Sequence, residues 1–134
     1  GGSSEEDEST ACNMPENSID LLSNGNVLYN FPNNNIGGFQ WDVDGADILT
    51  ISGGDATNAG FTVSASGTTA LGFSFTGSYV EMGCGVLANM TFVDDAIPDG
   101  LIGLIFADET GLDFQASLQD GGLGITIINL TTGD

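Results

Sequence analysis

The stretch Asn35-Ile-Gly-Gly-Phe-Gln-Trp-Asp-Val-Asp-Gly45 decides the fold. Within it Phe39, Trp41 and Val43 alternate with Gln40, Asp42 and Asp44. A period of two is the mark of a strand with one face buried and the other wet. Gly37 and Gly38 precede the alternation and Asp44-Gly45 closes it, so the strand has a defined start and stop. Trp41, in mid-strand, is the natural core anchor, because a Trp side chain buries ~150–250 Å².

The same punctuation recurs on both sides. Upstream, Asn24-Gly25 is the strongest hairpin dipeptide in the chain. It leads into Val27, Tyr29 and Phe31, which alternate with Asn26, Leu28 and Asn30 and are predicted to point inward. Downstream, Ile48 to Ile51 is closed by Gly53-Gly54-Asp55, and Phe61, Val63 and Ala65 alternate with Thr62 and Ser64. After the Ser66-Gly67 turn, Leu71, Phe73 and Phe75 alternate with Gly72, Ser74 and Thr76. That phase adds Phe73 and Phe75 to Phe39, Trp41 and Val43 as core anchors. Further strands are expected at Val86 to Val93, Leu101 to Ala107, Leu112 to Leu118 and Ile125 to Leu130. No segment carries a 3.6-residue period over the length of a helix. Short strands between Gly, Asn and Asp turns predict an all-β sandwich of about eight or nine strands.

Residues 12–134 read as that sandwich and residues 1–11 as an acidic, polar N-terminal extension. The extension is either a solvated tail or a segment ordered by a neighbouring subunit's sheet edge. The chain has no initiator Met and no signal peptide, so Gly1 is expected to be a mature or fragment terminus.

Charge excludes more than it assigns. The 134 residues contain 19 Asp and Glu and no Lys, Arg or His, a formal −19. Phosphate contacts need Lys or Arg, so nucleic acid and anionic membrane surfaces are repelled. No apolar run approaches the roughly 18 residues of a membrane span. A nucleophilic Ser or Cys would have no His or Lys as its base, and no enzyme is expected. Paired carboxylates of the glycosidase type would need a pocket, and the acidic residues here fall at strand ends and turns. With no internal side-chain salt bridge available, the plausible counter-ions are metal cations, solvent salt or a basic partner.

Calcium is the metal to test, because hard cations take several oxygen ligands. Asp42-Val-Asp44-Gly45-Ala-Asp47 resembles the start of an EF-hand loop, but its Gly is at the fourth position and Gly53 stands where the bidentate Glu belongs. Asp94, Asp95 and Asp99, around Pro98, form the better candidate set, with Asp108 and Glu109 next; the plain alternative is solvated acidic turns. No other cofactor is required.

Cys12 and Cys84 are an even pair without zinc-type spacing, which reads as one disulfide and an extracytoplasmic compartment; two free buried thiols are the alternative. A bridge closing so long a loop is worth roughly 4 kcal/mol in the chain-entropy treatment. Asn89-Met90-Thr91 and Asn129-Leu130-Thr131 are N-glycosylation sequons. On the strand after Cys84, Val86, Ala88, Met90 and Phe92 are expected inward, turning Asn89 and Thr91 to solvent. In the last strand, exposing Asn129 also exposes Ile125 and Ile127. Tyr79 is the one loop aromatic that could serve a sugar.

Ile36 to Val43, the hairpin Phe61 to Gly77 and the Gly83-Cys84-Gly85-Val86-Leu87 strand entry together resemble the cohesin-like domains, a group related to some carbohydrate-binding modules. The resemblance covers roughly Val27 to Leu118. It implies a nine-stranded jelly-roll sandwich with a recognition face and no catalytic residues. The cysteine pair and the lack of basic residues depart from the cellulosomal cohesins that bind dockerins. The expected function is therefore a non-catalytic extracellular or cell-surface module, glycosylated and assembling head to tail into a filament or matrix. The alternative is a cohesin-like protein- or carbohydrate-binding module that uses calcium. Expected partners are further copies of the chain, another extracellular protein or a glycan.

Overall fold

Strand β3 (Gly38–Asp44) runs through the middle of one sheet, with Phe39, Trp41 and Val43 buried and Asp44 exposed. The alternation in the sequence is therefore the alternation in space. The computed structural model describes residues 4–119. Ahead of β3 lie helix α1 (Ser4–Cys12) and strands β1 (Ser18–Leu21) and β2 (Asn26–Phe31). After it come β4 (Ile48–Ser52), helix α2 (Gly54–Asn58), β5 (Thr62–Ser66), β6 (Thr69–Phe73), β7 (Gly83–Phe92), β8 (Gly100–Ala107), β9 (Asp113–Phe114) and β10 (Ser117–Gln119).

The strands form two five-stranded sheets, in the orders β10-β1-β2-β7-β4 and β5-β6-β3-β8-β9. Every pairing is antiparallel except β1 with β10. The core between them joins Ile19, Val27, Phe31, Leu87 and Met90 of the first sheet to Phe39, Trp41, Ala70, Leu101 and Phe106 of the second. The domain is thus an all-β sandwich. The rings of Phe39 and Trp41 stack 4.7 Å apart, and Phe31 meets Phe106 and Phe114 edge-on at 5.1 Å.

Strand β6 has the opposite phase to the one its aromatics suggest. Ala70 and Gly72 face the core, while Leu71 is exposed and Phe73 only half-buried. The cause is Phe39: a Cβ on Gly72 would overlap its ring, so the cross-strand partner of Phe39 must be glycine. Phe75 lies beyond the strand and is 80 % exposed, against a half-buried Phe73 ring 4.8 Å away. Phe73 and Phe75 are therefore not core anchors. Small residues stand inward because β3 supplies the bulk.

Two helices stand where none was expected. Segment 4–12 of the polar extension is helical, and its acidic first turns suit the positive end of the helix dipole. Among its described positions Asp7 and Ala11 are buried, one turn apart on one side, and Met14 is buried just beyond its end. They rest on the outer face of β2 and β7, over Leu28 and Val86. Leu28 is therefore buried on a face that looked solvent-facing. Val86 lies outward because β7 carries an irregularity: Val27 pairs with Ala88 but Leu28 with Val86, which lets Leu87 drop into the core. Helix α2 closes one end of the sandwich with Ala56 buried, and Gly54 leaves room for the Leu87 carbonyl.

The segment expected as one strand over Leu112 to Leu118 is two short ones, β9 and β10, which belong to different sheets. The sheet edges are less open than a sandwich implies. Strand β9 is only two residues long, and the backbone N–H of Ile48 in β4 donates to the carbonyl of Gly67 at the end of β5. The expected strand Ile125 to Leu130 lies outside the described residues.

Candidate interaction surface

The two sheets differ in what covers their outer faces. In β5-β6-β3-β8, cross-strand partners share a face, and the outward rows read directly from the register. One row is Ser64, Leu71, Gln40 and Ile105; the next is Ser66, Thr69, Asp42 and Ile102. Leu71, Ile105 and Ile102 are 37, 49 and 53 % exposed, set among small hydroxyl residues. Asp42 is held in this face, its Oδ1 accepting from the Thr69 hydroxyl at 2.5 Å. The result is a face that exposes Leu71 on β6 and Ile102 and Ile105 on β8, with Gln40 and Asp42 of β3 between them.

The opposite outer face is covered by α1. Cys12, the last residue of that helix, is joined to Cys84 of β7, with Cα atoms 5.1 Å apart. Above the bridge, Asn30 Nδ2 donates to the Met14 carbonyl at 2.7 Å. At the other end of the helix, the Asp7 carboxylate accepts from Asn26 Nδ2 at 2.6 Å and from Asn24 Nδ2 at 3.1 Å. Asn26 Oδ1 in turn accepts from Asn89 Nδ2 at 2.8 Å, and the Asn24 carbonyl accepts from the same nitrogen at 3.2 Å. A polar network thus joins helix, hairpin turn and β7 without a cation.

That network bears on the sequon. Asn89 and Thr91 face outward, yet Asn89 is half-buried and both Nδ2 protons are directed at acceptors of the hairpin. Thr91 Oγ1 is bonded to Thr50 Oγ1 at 2.6 Å. Asn129 lies outside the described residues.

Asp94 and Asp95 are consecutive left-handed residues in an exposed 3₁₀ turn, with φ of 58° and 53°. Asp99 is tied back through its N–H to the Asp44 carbonyl at 2.7 Å. Among the described residues no three acidic, His or Cys side chains converge as ligands, so Asp94, Asp95 and Asp99 are not brought together as the expected calcium set. Asp108 instead organises its own turn, accepting from the Thr110 hydroxyl and from the N–H groups of Thr110 and Leu112. The Thr110 hydroxyl first, and then those backbone donors, hold its carboxyl below the usual range.

The sequence reading missed one further pair. Tyr29, nearly fully buried, donates its hydroxyl to Asp55 Oδ2 of α2 at 2.6 Å. Burial raises its pKa first, followed by the bond to Asp55 and the negative charges of Asp55 and Glu8. Gly85 opposite Tyr29 admits the carboxylate, since a Cβ there would crowd Asp55 Oδ2. Tyr79, 40 % exposed, lines an open depression with Asp55, Asn58, Glu81 and Met82. Among the described residues, no helix is long and apolar enough to cross a membrane. Compared with known proteins, the chain matches no family model and no curated protein.

Proposed function

We propose that this chain is a non-catalytic interaction module of an extracellular or cell-surface assembly, docking on another protein through the outer face of β5-β6-β3-β8. The observation that carries the reading is the contrast between the two faces. One is covered by a disulfide-pinned helix, while among the described residues the other presents Leu71, Ile102 and Ile105 uncovered. Exposed apolar side chains set among small polar ones on one sheet face suit a protein interface. The disulfide supports an oxidising compartment.

A jelly-roll, cohesin-like topology is the finer reading. It is supported by nested antiparallel pairing of β2 with β7 and β3 with β6, as in a ribbon folded on itself. The pairings β3·β8 and β4·β7 are those made when such a ribbon rolls up.

The test is amide hydrogen exchange on the protein in its native extracellular complex and on the isolated chain. Protection of β6, β3 and β8 in the complex is expected, and a Leu71→Asp/Ile105→Asp chain should fold normally yet fail to enter the complex. Protection confined to other elements would remove the proposal.

A head-to-tail filament of identical copies is the second reading, favoured by Phe75. It is 80 % exposed on a turn braced by Ser74, Thr76 and Ser78, whose hydroxyls bond one another at 3.1 and 3.0 Å. A heterologous contact that does not close gives an open fibre. Electron microscopy of native material should then show fibres that Phe75→Ser abolishes; a strict monomer at high concentration would sink this version.

A further inference from the structure

At one end of the sandwich, a groove of about 280 Å³ lies between the Asn24-Gly25 hairpin and the loop that leads into β8. Its apolar wall is Leu22, Met90, Phe92, Ala96, Ile97 and Pro98. The volume falls at the low end for small-molecule sites, ~300–1,000 Å³, and suits a single large side chain. Ile97 stands at the rim, 80 % exposed.

The surroundings of the groove are uniformly negative. Asp95 lines it and Asp94 precedes Asp95. The same loop is stitched to the β3–β4 turn by the N–H of Val93 on the Asp47 carbonyl at 3.0 Å and that of Asp99 on the Asp44 carbonyl at 2.7 Å. Asp44, Asp47, Asp94, Asp95 and Asp99 are all exposed, so two joined loops carry five carboxylates. The chain has no basic side chain with which to answer them. A second copy would bring only more negative charge, and a neutral apolar ligand would leave the carboxylates unanswered.

We infer that this groove binds a segment of a different, basic protein: one large apolar side chain seated against Ile97 and Phe92, flanked by Lys or Arg facing the two aspartate loops. An apolar anchor in a pocket supplies the binding energy, and the charges supply rate and selectivity. This surface is separate from the sheet face proposed above and does not depend on it. It also gives the lack of basic residues a role, because a chain that cannot neutralise itself selects partners that can.

The test uses the full chain, labelled with ¹⁵N, and a synthetic peptide, acetyl-Lys-Arg-Leu-Phe-Arg-Lys-amide. Saturable shifts are expected at the amides of Asn24, Met90, Ala96 and Ile97, with affinity falling at least tenfold when the Leu-Phe pair is replaced by Ser-Ser. Replacing the basic residues of the peptide by Glu should abolish binding. Ile97→Ser should weaken it at least tenfold, and Asp94→Asn/Asp95→Asn should do likewise while keeping the turn, since Asn tolerates the left-handed conformation. Leu71→Asp/Ile105→Asp, on the sheet face, should bind the peptide as the parent does. The inference is overturned if shifts spread over all exposed carboxylates regardless of the apolar pair. It is overturned equally if Ile97→Ser leaves the affinity unchanged, or if millimolar peptide moves no groove amide.

Discussion

The Asp7 carboxylate, only 6 % exposed, accepts a hydrogen bond from the Asn26 amide at 2.6 Å, and this bond keys an N-terminal helix to a hairpin. A buried carboxylate normally needs a cation, and this chain has none to offer. Two asparagine amides provide the donors instead, Asn24 being the second. Asp7→Ala should cost about 2–3 kcal/mol, because it removes two charge-assisted bonds and strands both amides. Urea unfolding with the disulfide intact measures this; an unchanged midpoint would mean that the helix is held by the disulfide and Met14 alone.

The same network makes a prediction at the sequon. Glycosylation leaves Asn89 Nδ2 one proton, and that nitrogen now uses two, at Asn26 Oδ1 and the Asn24 carbonyl. Gly25 packs beside it, so that even a Cβ at that glycine would lie 3.3 Å from Nδ2. A glycan at Asn89 would therefore cost the hairpin network at least one of those two bonds. When the chain is secreted from a eukaryotic host, intact mass should show the disulfide-bonded, folded fraction bare at Asn89. Full occupancy in a fraction with the parent unfolding midpoint would contradict it.

How much of this was legible depended on where the bulk and the charge lay. The strand at Phe39, Trp41 and Val43 could be read because its large residues point one way and its polar ones the other. The phase of β6 could not, because its inward residues, Ala70 and Gly72, are small for the sake of a ring on the next strand. Helix α1 was hidden because one of its two described buried positions is an aspartate, so Asp7 and Ala11 do not look like an apolar stripe. Leu28 was then misplaced for want of the helix that covers it, and Val86 because the irregularity of β7 reverses its alternation. The shared outer face of Leu71 and Ile105 was equally obscured, since only the register through Gln40 puts them in one row.

The disulfide should act on α1 before it acts on the sandwich. Cys12 ends the helix and is itself exposed, so a reductant can reach it. The bridge spans 72 residues, for which loop-closure entropy gives roughly 4 kcal/mol. Cys12→Ser/Cys84→Ser should lose about that much stability and should speed amide exchange over Glu6 to Cys12 by orders of magnitude, with β3 still slow. Equal acceleration in α1 and β3 would show that helix and sandwich unfold as one unit.

Tyr29 and Asp55 are expected to set the alkaline limit. The folded tyrosine has its pKa raised well above the unfolded value of about 10. A raised pKa contributes stability that is whole below the unfolded value and drains away as the pH climbs past it. Phenolate absorbance from Tyr29 should therefore appear only together with unfolding. Tyr29→Phe should cost about 1.5–3 kcal/mol at neutral pH, the worth of a bond to a charged acceptor, and should flatten the alkaline decline. A decline unchanged in that variant would place its origin elsewhere.

Trp41 offers the sharpest comparison of packing with polarity. Its ring is fully buried and stacks on Phe39, yet its indole N–H finds no acceptor among the described residues. Trp41→Ala removes the stack and opens a cavity, and should cost about 3–5 kcal/mol. Trp41→Phe keeps a ring against Phe39 and deletes the stranded donor, whose burial costs about 1–3 kcal/mol. The two effects of the Phe variant oppose each other, and the net change should be within about 1 kcal/mol. Denaturant midpoints of the two variants decide the matter. If Phe costs as much as Ala, the N–H is satisfied and the indole is held by a bond rather than by packing; if Ala costs little, the core is not centred on β3.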